Sequence, residues 1–323
     1  MRKSFILFLI GILGGGGWLF LRNSGVQGLP NLGLPSLQSP AADGTTPISI
    51  PGGTHRDTIR VASFNIQVFG RTKISKSHVM DVLVRIVQQF DVVAIQEIRA
   101  REDDILPRFV DMLNAGGRKY DFVIGPRLGR TVSTEQYAYV FDSQTIEVDR
   151  LQLYTVNDPD DVLHREPLVG WFRARGVTPD AAFTFSLVNI HTDPDEVEQE
   201  VNVLDDVLHA VRNDGRGEDD VILLGDLNAD DRHLGQLGQV ANIFPAISNV
   251  ATNTAGTKQY DNLIFDRLAT REYTGRAGVF DFLRTYNLSL DAAKEVSDHL
   301  PVWAEFSVVE GGQYGRVASR PEP

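Results

Sequence analysis

No cysteine occurs among the 323 residues, which excludes disulfides, thiolate metal sites and a cysteine nucleophile from the outset. Basic residues are scarce as well: 31 Lys and Arg stand against 43 Asp and Glu, for a formal net charge of −12. A nucleic-acid partner usually calls for the opposite balance, because phosphates are met by Lys and Arg. That sum is global, however, and leaves room for a local basic rim. It also suits an enzyme that gathers carboxylates around divalent cations. A phosphate-cradling P-loop, a dinucleotide fingerprint, a G-x-S-x-G nucleophile elbow and an internal repeat are all missing. Apolar content is ordinary, so a sizeable core is expected.

The chain divides by composition. Arg2 and Lys3 precede an uncharged run from Phe5 to Leu21, and Arg22 follows it. The run sits at the lower limit of about 17 residues for a membrane span, and Gly14 to Gly17 weaken its helical propensity. Residues 1–22 therefore read as an uncleaved signal anchor or as a signal peptide. Either one sends the rest of the chain out of the cytoplasm, anchored to the membrane or secreted. Residues 23–56, rich in Gly, Pro, Ser and Thr, read as a flexible linker. A folded domain is expected over 57–309 and a disordered tail over 310–323. Nothing in the sequence calls for an obligate protein partner.

Inside the folded part, short apolar runs alternate with helical patterns. Strands are expected at Ile59–Ile66, Asp91–Ile95, Phe122–Ile124, Ala138–Phe141, Ile146–Tyr154, Leu168–Phe172, Phe183–Ile190, Val221–Leu224, Leu263–Phe265 and Val302–Val308. Helical spacing marks His78–Phe90, Ile105–Leu113 and Glu196–Val211. Strands outnumber helices, which suggests an α+β arrangement with sheets inside and helices outside.

Five segments share one design, in which an apolar strand abuts a polar or acidic cluster. They end in Asn65, in Gln96-Glu97, in Asn189-Ile190-His191, in Gly225-Asp226-Leu227-Asn228, and in Ser297-Asp298-His299 ahead of the last strand. Polar groups at the ends of buried strands converge on one edge, where such folds place their sites. Glu97, Asp226 and Asp298 are hard oxygen ligands suited to Mg²⁺ or Mn²⁺. Asn65 and Asn228 can orient a metal-bound water or a phosphate oxygen. His191 and His299 can exchange protons near neutral pH. Carboxylates with two histidines and no covalent nucleophile favour water attacking phosphorus.

At these segments the chain resembles the endonuclease/exonuclease/phosphatase superfamily, through Gly225-Asp226-Leu227-Asn228 and Ser297-Asp298-His299. Phe64-Asn65-Ile66 and Gln96-Glu97-Ile98-Arg99 join the match, and Arg99, Glu135 and Arg165-Glu166-Pro167 point more narrowly to its deoxyribonuclease I branch. The resemblance implies a four-layer α/β/β/α sandwich and an endonuclease that hydrolyses DNA. It implies a Glu135–His191 pair, with His191 protonating the leaving 3′ oxygen, and an Asp261–His299 pair, with His299 activating water. Glu97 would hold Mg²⁺ with Asp226 or Asp298, while Asn65 and Asn228 steer the phosphate. Arg99 and Arg165 would contact phosphate or reach the minor groove. Arg71 and Lys73 read as a solvated loop, with contact to DNA as their functional alternative.

Two positions depart from that pattern. Ser133 stands where the family has a groove-packing tyrosine, and Asp231 stands where it has a disulfide cysteine. A structural Ca²⁺ near Asp231 and the Thr252–Thr257 loop would compensate for the lost bridge. His55, His78, His164, His209 and His233 receive no role, and the acidic runs Asp158–Asp161 and Glu218–Asp220 read as solvated turns. The superfamily core is shared by sphingomyelinases and phosphoinositide phosphatases, so a tethered lipid phosphodiesterase is the rival function. An inactive tethered binding module is the rival from another class.

Overall fold

A computed structural model describes residues 57–130 and 134–312. The expected N-terminal segment and linker, Ser133, and the tail past Gly312 lie outside the described residues. Among the described residues no helix is long and apolar enough to cross a membrane.

The chain enters through β1 (Thr58–Phe69), a short α1 (Arg71–Ile74), α2 (Ser77–Val87) and β2 (Val92–Ile98). Helix α3 (Ile105–Asn114) leads to β3 (Tyr120–Leu128) and β4 (Glu135–Asp142), then to β5 (Ile146–Thr155), β6 (Leu168–Ala174) and β7 (Thr184–His191). Helices α4 (Val197–Val201) and α5 (Leu204–Arg212) carry it to β8 (Val221–Asp226), β9 (Ile243–Pro245), β10 (Asp261–Asp266) and β11 (Tyr273–Val279). Finally α6 (Phe282–Thr285) and α7 (Leu290–Val296) precede β12 (Val302–Ser307).

Among these residues the strands form two six-stranded sheets, ordered β11-β12-β1-β2-β4-β3 and β5-β6-β7-β8-β10-β9. Parallel pairing occurs at β1–β2 and β7–β8, the two places where helices cross over. The sequence dictates the layers by alternation. In β1, Ile59 and Val61 face the second sheet, whereas Ala62, Phe64 and Ile66 face helices α2 and α3. On the far side Val188, Ile190 and Leu223 pack under α5 through Leu204, Val207, Leu208 and Val211. The result is the four-layer α/β/β/α sandwich, with sheets face to face and a helical layer on each outer surface.

The layer between the sheets has a chemical gradient that positions everything else. One face of β1 reads Ile59, Val61, Ser63, Asn65; that of β2 reads Val92, Ala94, Gln96. The facing sheet reads Phe185, Leu187, Asn189, His191 in β7 and Ile222, Leu224, Asp226 in β8. The antiparallel strands β4 and β10 run the other way, from Glu135 to Phe141 and from Asp261 to Phe265. All of them are greasy at one end and polar at the other, and the polar ends coincide. Buried amides pin the sheets near the transition. Gln96 Nε2 donates to Asn189 Oδ1 at 2.6 Å, and Asn189 Nδ2 donates to the Ile95 and Ala138 carbonyls at 3.1 and 3.2 Å.

Some expectations needed correction. The single helix over Glu196–Val211 is two, because the turn loosens at Asn202 and Val203; Asn202 Oδ1 there accepts the Gln236 N–H at 3.1 Å. Strands β9 and β11 went unexpected: one is only three residues long, and the other carries Gly275 and Gly278 on a sheet edge. Phe172 lies at the heart of the interlayer, stacked 5.7 Å from Phe185 and edge-on to Tyr139 at 5.1 Å. Phe172→Ala is expected to cost about 3–5 kcal/mol, as for other fully buried rings; denaturant titration of the variant measures it.

Candidate active site

At the polar end, one carboxylate oxygen collects three donors. Asp226 Oδ2 accepts from Asn65 Nδ2 at 3.0 Å, while His191 Nε2 and His299 Nε2 stand 3.5 and 3.4 Å from it. Each imidazole is backed by a second buried acid. His191 Nδ1 pairs with Glu135 Oε1 at 2.8 Å, and His299 Nδ1 pairs with Asp261 Oδ2 at 2.9 Å. Both acid–histidine pairs are therefore brought together as expected, and their Nε2 atoms face the same small cleft. Its volume is about 260 Å³, and Glu97, Arg99, Arg165 and Asn228 also line it.

Burial opposes a charge on the His191 ring, but Glu135 and Asp226 outweigh it and hold the imidazole above its ordinary value. Burial likewise disfavours a charged Glu135, yet His191, Arg165 and Arg99 hold that carboxyl below the usual range. For His299, Asp261 and Asp226 overcome burial and keep the ring well above its ordinary value. A carboxylate on each Nδ1 fixes the ring orientation and leaves Nε2 facing the cleft.

Local backbone chemistry explains why these side chains reach the cleft. A Cβ at Gly225, whose φ is +153°, would meet the Ile190 carbonyl oxygen at 1.8 Å, so only glycine lets β8 lie against β7 just before Asp226. Glu97 and Asn228 adopt φ of 61° and 49°, and the pairing of β2 shifts between Ile95 and Ile98. That bulge turns Glu97 out of strand alternation and toward Asn65, whose Nδ2 donates to Glu97 Oε1 at 3.2 Å. Lys73 is no solvated loop residue. Its Nζ donates to the carbonyls of Ile66, Gln67 and Val296 at 2.6, 2.6 and 2.7 Å, clamping the end of β1 to the segment before Ser297. Burial pushes this ammonium down to about 8, against the pull of Asp298 and Glu97.

The donor set fits a hard divalent cation. Glu97 and Asp226 both accept from Asn65 Nδ2, which brings hard carboxylate oxygens together, and the chain has no cysteine to offer a thiolate. Carboxylate and ring atoms of Asp226, Asp261 and His299 also lie within 4.8 Å of one another. Asp261 is already committed to His299 and to the Thr252 hydroxyl at 2.6 Å, which favours it as an orienting acid. Asp298 sits at the rim, half exposed, with Oδ1 4.0 Å from His299 Nε2. Asn228 is anchored by its Nδ2 to the Thr192 carbonyl at 3.0 Å.

The arginines divide. Arg99 Nη2 lies 3.3 Å from Glu97, and Arg165 Nε donates to the His191 carbonyl at 3.0 Å, so both belong to the site. Arg71 is exposed and pairs with Glu102 at 3.0 Å, outside the cleft lining. His164 and Asp193, which received no role from the sequence, also line the cleft and approach to 3.6 Å. Only their loop neighbours Arg165 and His191 carried a signal. Asp231 accepts from the Ser248 hydroxyl and the Asn249 amide, a non-covalent clasp at the position expected to lack the family's cysteine. Among the described residues no trio of acidic or histidine ligands gathers at Asp231.

Two face-to-face sheets with two acid-backed histidines at one seam match a known family. The Endonuclease/Exonuclease/phosphatase family matches residues 62–299, and the chain belongs to that family. It is 33% identical to deoxyribonuclease gamma of Rattus norvegicus over 264 residues, covering 76% of this chain and 83% of that protein. It is 32% identical to deoxyribonuclease-1-like 1 of Mus musculus over 270 residues, covering 80% and 83%. Among solved structures, a humanized D. rerio TDP2 overlays with a TM-score of 0.55 at 14% identity, covering 78% of this chain and 100% of that one. That likeness concerns the fold.

Two measurements check the electrostatics in metal-free protein. Glu135→Gln removes the main force raising His191 and leaves burial and Arg165 to push it down, so its pKa falls; NMR titration of the ring reads this. Burial pushes Glu200 in α4 up to about 7, although the Asp193 and His164 amides donate to it. The folded protein then holds a proton that the unfolded chain releases near pH 4.3. Stability from this group is complete below about pH 4 and is lost as pH rises through about 7. The melting temperature of Glu200→Gln should gain on the parent between about pH 4 and 7 and level off above.

Proposed function

We propose that the protein is a divalent-metal-dependent endonuclease that hydrolyses DNA by attack of water on phosphorus. The observation that carries this reading is the meeting of two acid-backed imidazoles at Asp226 Oδ2. His299 takes a proton from water at Nε2, and Asp261 stabilises the imidazolium formed. His191 gives a proton from Nε2 to the departing 3′ oxygen, and Glu135 holds its ring in place. Asp226 helps to raise both rings, so neutralising its charge lets His299 shed its own proton, as a base must before it takes one from water. Arg99, Arg165, Asn65 and Asn228 bind and orient the phosphate. Held by Glu97 and Asp226, Mg²⁺ or Mn²⁺ would supply Lewis-acid charge at the scissile group. DNA as the substrate is supported by the names of the sequence relatives, both deoxyribonucleases. On this reading residues 1–22 carry the enzyme out of the cytoplasm.

Plasmid nicking in Mg²⁺ tests the proposal. Activity should vanish with EDTA and fall by about 10²–10⁴-fold in His191→Ala or His299→Ala, the range general acid–base groups contribute. Turnover of sphingomyelin or phosphoinositide vesicles without nicking would instead select the lipid phosphodiesterase. Nicking left intact in both histidine variants would refute the mechanism.

A further inference from the structure

The opposite end of the sandwich holds a second set of carboxylates. Asp220 immediately precedes β8, Glu272 precedes β11, and Glu310 follows β12. Oxygens of these three lie within 4.8 Å of one another, and Glu218 and Asp219 form a similar group around the same Asp220. The run Glu218–Asp220 is thus solvated only at Asp219, since Glu218 and Asp220 are buried, and Glu272 beside them is only 1% exposed.

Three of the acids are partly fixed by hydrogen bonds from neighbouring donors. The Gly311 amide donates to Glu272 Oε1, and the Thr184 amide donates to Glu310 Oε2 at 3.1 Å. Glu218 accepts from the Asp220 amide and the Trp171 indole, both at 3.0 Å. What is left over is conspicuous: Asp220 Oδ1 and Glu272 Oε2 are fully buried and have no hydrogen-bond partner. The buried Thr270 hydroxyl lies beside Asp220. Among the described residues no Lys, Arg or His forms an ion pair with Asp220, Glu272 or Glu310. Buried carboxylates normally pair with a cation or bind a metal, because desolvating an unpaired charge is too costly.

We propose that Asp220, Glu272 and Glu310, flanked by Glu218, bind a hard divalent cation, Ca²⁺ foremost, that fastens the C-terminal segment to the start of β8. All donors are oxygens, several are carboxylates, and they come from three separate segments, the kind of set that suits the flexible coordination of Ca²⁺. With no counter-ion, burial together with the charge of Glu272 pushes Asp220 up to about 9, and burial pushes Glu310 up to about 7. The site lies a full strand length, about 20 Å, from Asp226, so it stands independently of the catalytic reading.

The full chain, stripped with EDTA, is titrated with Ca²⁺ while its melting temperature is followed. Saturation at about 100 times the dissociation constant should raise the melting temperature by about 5–10 °C. Asp220→Asn with Glu272→Gln should abolish the rise, and Glu97→Gln in the catalytic cleft should not. In parallel, Tb³⁺ should show emission excited through Trp171, lost in Trp171→Phe while the Ca²⁺ shift persists. An equal Ca²⁺ shift in the parent and in Asp220→Asn/Glu272→Gln would overturn the proposal. So would no shift at all, or a shift that disappears in Glu97→Gln. Should the double variant not fold, Tb³⁺ emission that survives Trp171→Phe would overturn it equally.

Discussion

The site depends on a single oxygen, Asp226 Oδ2, which three donors from different parts of the chain approach at once. Asn65 comes from one sheet and Asp226 from the other. Glu135 reaches across to His191, and His299, just ahead of β12, reaches across to Asp261. Both acid–histidine pairs and the Asn65–Asp226 contact therefore straddle the seam between the layers. The two parallel pairings set the depth of each strand, and Gly225 permits the close approach that brings Asp226 level with His191.

Much of this was visible in the sequence because strand alternation and polar strand ends are both local. The segments ending in Asn65, Glu97, His191, Asp226 and His299 could be read one by one, and their convergence followed from the logic of sheets. Glu135 and Asp261 were reached only through family resemblance. Each opens an antiparallel strand, where an acidic residue ordinarily marks a turn. Lys73 was misread because a lysine beside Arg71 resembles a surface loop, and its three carbonyl partners include one at Val296. Asp220 was misread for the same reason. A run of acids looks solvated until Glu272 and Glu310 fold against it. Contacts of that kind lie between segments far apart in sequence, and no periodicity announces them.

The interlayer gradient shows how one architecture keeps stability and chemistry apart. Its apolar half is dominated by aromatic contacts such as Phe183 with Phe185 at 4.7 Å and Phe183 with Phe306 at 5.7 Å. The polar half holds charged groups that would be intolerable singly and are tolerable as matched pairs. Between them, Gln96 Nε2 donates to Asn189 and Asn189 Nδ2 donates to neighbouring carbonyls, so the change from oil to ions happens within one layer of amides.

Those amides also act as a vernier. With Tyr139, whose hydroxyl reaches the Leu168 and Leu187 carbonyls at 2.6 and 2.8 Å, they lock one sheet against the other. A slip of one residue along a strand, about 3.3 Å, would pull each imidazole away from its acid while leaving both sheets individually whole. The site is therefore more fragile than the shape: a loosened seam would part the imidazoles from their acids while the strands still held together.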